Sequence, residues 1–98
     1  MNVEDLKNDL NEIVNLLDSM LRKVLNCKAT NTGIYIDKQC EVLTVVFNDV
    51  PENCDDKIQD YFNTIGINAD FMCFATKGSA IEFNLNLVLA ETLVLKSR

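Results

Sequence analysis

The sequence contains no histidine. That removes the commonest general base and the usual partner of a nucleophilic serine or cysteine. Carboxylates remain as acid–base groups, but no motif joins them to a reaction, and the chain is read as non-enzymatic. Paired C-x-x-C spacing is missing too. Cys27, Cys40, Cys54 and Cys73 stand far apart, and without histidine they complete no mixed zinc set. No metal or cofactor is expected. An export signal is also lacking: Glu4, Asp5 and Asp9 fall where a basic region would be, and no apolar segment follows. The expected setting is therefore the cytoplasm, where cysteines stay as free thiols. Each of the four lies in or beside an apolar pattern, where cysteine acts as a small hydrophobe. No apolar run approaches the roughly 20 residues of a membrane span. Clustered Lys and Arg are absent as well. A net charge of −6 and a pI near 4.4 count against direct nucleic-acid binding and against anionic membrane surfaces. The same acidity suits a basic protein partner.

What is present is ordinary globular material, 48% apolar and 24% charged, enough to offset the entropy of ordering the chain. Ninety-eight residues make one domain over 1–98, burying roughly 60–70% of the unfolded surface. There are no linkers, low-complexity segments or motif-scale repeats.

The strongest local pattern is VEDLKNDLNEIVNLLDSMLRKVLNC, from Val3 to Cys27, with apolar residues at 3, 6, 10, 13, 17, 20, 24 and 27. This three–four rhythm predicts a long helix. Asn2 can cap it, acids fill its first turns, and Arg22, Lys23 and Lys28 stand near its end, the sign order the helix dipole prefers. A coiled-coil seam wants charge at the flanking positions. Val14, Leu16, Leu21 and Leu25 break that rule, so the apolar face is broad from about Ile13 onward, as a helix laid on a sheet requires. A helix of about 25 residues would run nearly 40 Å at 1.5 Å per residue, longer than a small sheet of about 20 Å strands. Its N-terminal half is expected to overhang.

Asn26 to Gly33 reads as a loop. GIYIDKQCEVLTVVF reads as a hairpin turning at Lys38-Gln39, its second strand running from about Glu41 to Phe47. That second strand is apolar on both faces, which makes it central or doubly covered. Pro51 is placed in the first turn of a second helix, whose apolar stripe is Cys54, Ile58, Tyr61, Phe62 and Ile65, with Gly66 as its left-handed cap and Ile67 folding back onto Phe62. A second hairpin turns through Lys77-Gly78-Ser79, with Ile81, Phe83, Leu85, Leu87 and Leu89 alternating inward. Leu93 and Leu95 keep strand parity, so the tail is read as a fifth strand; a short helix from about Leu87 is the other reading. The fold class is α+β: a long N-terminal helix, a β-hairpin, a second helix and a second hairpin, with helices packed on an antiparallel sheet.

Two surfaces are candidates for partners. Leu6, Leu10 and Ile13 lie on the first helix, and a homodimer is expected that uses the surplus surface of this helix or an exposed sheet edge. On the second helix, Glu52, Asp55, Asp56 and Asp60 form an acidic stripe opposite the apolar one. It is either the solvated face of an amphipathic helix or a docking face for a basic partner, as in an inhibitor, immunity-type or DNA-mimic protein of phage anti-defence kind. These acids do not fit a calcium loop, and TKGS lacks the frame of a phosphate loop. The phenylalanines, with Tyr61 and Met72, are either packed core or the lining of a ligand cavity. Asp37 with Glu41 is either a carboxylate pair or the flank of a turn.

GIYIDKQCEVLTVV after a long helix resembles the first hairpin of Roadblock/LC7 domains, although Gln39 and Cys40 stand where a central glycine is often found. The element order also resembles the acidic chaperones of type III secretion. Both groups are small dimeric interaction modules, which implies the same for this chain. No functional residue carries over from either.

Overall fold

The computed structural model describes residues 9–66 and 73–97 of the chain. Its elements run α1 (Leu10–Leu25), β1 (Thr30–Asp37), β2 (Val42–Asn48), α2 (Asp55–Thr64), β3 (Cys73–Lys77), β4 (Ala80–Asn86) and α3 (Leu87–Ser97). The four strands form one antiparallel sheet in the order β1-β2-β4-β3. The α+β class holds, with four strands where a fifth was expected.

The register of the central pair sets the core. Leu43 stands opposite Leu85, Val45 opposite Phe83, and Phe47 opposite Ile81. All six are buried and share one face, because side chains alternate along a strand. The helices cover that face. Ile13, Leu17, Met20, Leu21 and Leu25 come from α1, Ile58 and Phe62 from α2, and Leu89, Ala90, Leu93 and Val94 from α3, all in one apolar cluster. Phe47 and Phe83 meet edge to face at 6.2 Å, a favoured aromatic geometry. The two-sided apolarity of β2 follows from its central place. Val42 and Val46, pointing away from the helices, are half-buried, and between them Thr44 Oγ1 donates to Asn84 Oδ1 at 2.8 Å across the strands.

The broad face of α1 does what its width predicts and packs on the chain's own core. Its 16 described residues run about 24 Å, a match to the sheet. The expected overhang, Val3 and Leu6, and the Asn2 cap lie outside the described residues. Asn26 ends the helix in the left-handed conformation at φ 51°, which asparagine tolerates. Strand β1 then begins at Thr30, inside the stretch read as loop. The second helix starts at Asp55, after a turn that holds Pro51, so Pro51 precedes the helix and does not open it. Gly66, at φ 81°, has the expected left-handed conformation; Ile67 lies outside the described residues. Gly78, at φ 59°, is the first residue of the two-residue turn between β3 and β4, where the backbone needs a positive φ.

The tail overturns the fifth-strand reading. Asn86 Oδ1 accepts a hydrogen bond from the Leu89 amide at 2.8 Å, three residues on, as a helix N-cap does. The chain therefore leaves the strand at Asn86 and coils. Leu89, Ala90, Leu93 and Val94 are buried at helical spacing. Strand parity would have put Leu93 and Leu95 on one side; instead Leu93 is 7% exposed and Leu95 67%. Leu93→Ala is therefore expected to cost about 2–5 kcal/mol in urea unfolding, the usual cost of truncating a core leucine. Leu95→Ala should stay within about 0.5 kcal/mol, as surface changes do. Similar large losses at both positions would contradict the helix.

Candidate interaction surfaces

The residues singled out for partner binding fall in three environments. Ile13 is fully buried in the core, so in the single chain it has no free surface and works for stability. Leu10, one turn earlier, is half-buried and packs against the same cluster. Leu6 lies outside the described residues. The seam is therefore consumed by the chain's own fold from Ile13 onward.

The acidic stripe is placed together in solvent. Glu52 sits in the turn before α2, Asp55 and Asp56 in its first turn, and Asp60 one turn further, all exposed. Acids in a first turn complement the positive end of the helix dipole. Asp55 also ties the helix start to the second hairpin, since its Oδ1 accepts from Thr76 Oγ1 of β3 at 2.8 Å.

The aromatic residues divide. Phe47, Phe62 and Phe83 are core, while Phe71 and Met72 lie outside the described residues. Tyr61 and Phe62, with Leu16, Leu17, Met20, Ile65 and Leu93, line a half-open cleft of about 300 Å³ between the three helices. Among the described lining side chains the Tyr61 phenol is the polar one, and Lys23 Nζ stands 5.8 Å from the Tyr61 ring centroid, a cation–π distance. These described side chains suit apolar matter and hold no acid–base pair among them. Among the described residues no polar or charged side chain is buried, and no cluster of three potential metal ligands occurs. Cys27, Cys40 and Cys54 are free thiols. Burial raises the pKa of Cys54, with the Asp55 charge adding to it, and desolvation likewise raises that of Cys27. Neither is an activated thiolate.

Asp37 precedes the turn of residues 38–41 and Glu41 ends it, both exposed. Asp37 Oδ1 accepts from the amides of Gln39 at 2.9 Å and Cys40 at 3.0 Å, and Glu41 takes a left-handed backbone at φ 54°.

Two surfaces take their residues from the structure: one on α3 that the sequence does not suggest, and one on the sheet edge, which it suggests without naming a strand. On α3, Val88 and Leu95 are 69% and 67% exposed, and their spacing of seven puts them on one side of the helix. Strand parity had hidden this, since it turned Leu95 inward. On β1, Ile34 and Tyr35 are 40% and 61% exposed. The Tyr35 ring lies over Gly33: a Cβ there would come within 2.7 Å of the ring. The readable signal was an aromatic residue two positions from a glycine on one strand face. In comparison with known proteins, the chain matches no family model, no curated protein and no solved structure.

The amides of Cys40, first, and Gln39 hold the Asp37 carboxyl below its ordinary pKa of 3.8. A depressed carboxyl pKa contributes stability above the unfolded value and loses it as pH falls through the folded one. Asp37→Ala is thus expected to lower the melting temperature near neutral pH and to narrow its gap from the parent protein as pH drops below about 4. A constant gap down to the most acid pH would remove the turn bonds as its cause.

Proposed function

We propose that this chain is a small, acidic, non-enzymatic protein–protein interaction or scaffold domain that works as a homodimer in the cytoplasm. One observation carries the reading: among the described residues, four large apolar side chains, Ile34, Tyr35, Val88 and Leu95, stand in solvent on regular elements, outside the core. Ordered apolar groups outside a finished core are what an interface uses. The cytoplasmic setting fits an exposed free thiol at Cys40. The partner is a second copy, a basic protein or both, and the net charge of −6 favours the basic one for rapid encounter.

The test is molar mass by light scattering on a sizing column, under reducing conditions and at two concentrations. The expected mass is twice 11.1 kDa. A mass of one chain at both concentrations would contradict the homodimer.

The acidic inhibitor or immunity-type role is a second reading, favoured by the exposure of Glu52, Asp55, Asp56 and Asp60 along the start of α2. In that role the stripe occupies the nucleic-acid site of a basic partner. Reversing Asp56 and Asp60 to lysine would then abolish capture of that partner with the melting temperature little changed, while undiminished capture would eliminate the role. Asp55 is left intact because of its bond to Thr76.

A further inference from the structure

Strand β1 is an edge with little protection. From Thr30 to Ile36 it carries no charge and no proline, and its middle is Ile34 and Tyr35. Edges that avoid pairing are short, or carry lysine, proline or a bulge. The opposite edge, β3, follows that rule: it has five residues and ends in Lys77. The protection β1 has is a bulge at its start, where the register slips between Asn31 and Gly33. Beyond it, Gly33 to Asp37 pairs without a break against Val46 to Val42. Among the described residues, nothing pairs with the outer side of this stretch.

That bulge-free stretch complements itself. A twofold axis perpendicular to the sheet keeps each side chain on its own face and makes the pairing antiparallel. Placed at Tyr35, it sets Tyr35 against Tyr35 of the second copy, Ile34 against Ile36 in both directions, and Gly33 against Asp37. The three central positions are apolar on apolar, and no like charges stand opposite, the conditions under which cross-strand pairs stabilise. Neighbouring registers are worse. An axis at Ile34 brings the bulged residue Thr32 into the ladder, and one at Ile36 runs into the turn after Asp37.

Charge leaves the same stretch clear. Two copies at −6 each repel, and Gly33 to Ile36 carries no charge of its own; it lies between the Asp49 carboxylate at Thr30 and Asp37, whose carboxylate is bonded to its own turn. We propose that a second copy of this chain pairs along β1, with Tyr35 on the twofold axis, joining two sheets into one continuous sheet. This rests on the homodimer reading and adds its surface and register.

The experiment uses the full chain with Cys40→Ser as parent, then Tyr35→Cys or Lys77→Cys added. Directly opposed antiparallel residues have Cβ atoms about 4.5–5.5 Å apart, close to disulfide reach. Under mild oxidation Tyr35→Cys should give a covalent dimer as the major species, reversed by reductant, while the parent and Lys77→Cys do not. Tyr35→Lys, which opposes two like charges, should halve the molar mass with circular dichroism unchanged, while the melting temperature loses its dependence on protein concentration. A dimer by mass that fails to cross-link through Tyr35→Cys overturns the β1 pairing and leaves the homodimer standing, as does cross-linking through Lys77→Cys instead. If the parent has the mass of one chain throughout, both fall.

Discussion

The pairing of β2 with β4 holds the two halves of the chain together. Each strand follows a different helix, so their ladder, Leu43 with Leu85 to Phe47 with Ile81, joins two helix–hairpin halves that are distant in sequence. Its inward side chains are the floor on which all three helices rest. A one-residue slip of either strand would turn its three apolar groups of this ladder to the other face, and the helices would lose half of their common floor. Burial here is almost wholly apolar, and every described buried side chain is hydrophobic. The fold is therefore held by packing and backbone hydrogen bonds. The ion pair of Asp18 with Arg22, at 3.3 Å on α1, adds little in its exposed position.

A core built on one face has two consequences. The other face carries what a half-wet sheet tolerates: half-buried valines, the Thr44–Asn84 hydrogen bond and a tyrosine laid over a glycine. The two edge strands also differ. The short β3 ends in a lysine, whereas the longer β1 presents isoleucine and tyrosine. The two borders therefore differ in what they offer to a second copy. In the proposed dimer it is the border strand β1, with the overhang of the first helix unneeded, that supplies the surface for a second copy.

Periodicity made most of this legible. The broad stripe of α1, the alternation in β2 and β4, and the stripe of α2 all lie where their spacing put them. The local pattern failed at the tail, because ETLVL satisfies strand parity as well as helical spacing. The decision lay in one side-chain acceptor, Asn86, bonding an amide three residues ahead, which no apolar pattern records. The surfaces were harder to read for a related reason. Exposure depends on what the core leaves over: Ile13 and Leu95 look alike in the sequence, yet one is at the centre of the core and the other in solvent. The acidic stripe was legible because charge on an amphipathic helix has one place to go.

Amide hydrogen exchange across a range of protein concentrations would distinguish a paired β1 edge from a free one. The outward amides of an unpaired edge exchange fast, and pairing slows them. If β1 pairs with its copy, alternate amides between Gly33 and Asp37 gain protection as concentration rises, while those of the β3 edge up to Lys77 stay unchanged. Protection in β1 that is independent of concentration, or a concentration-dependent gain confined to β3 or to α3 around Val88 and Leu95, would contradict the pairing.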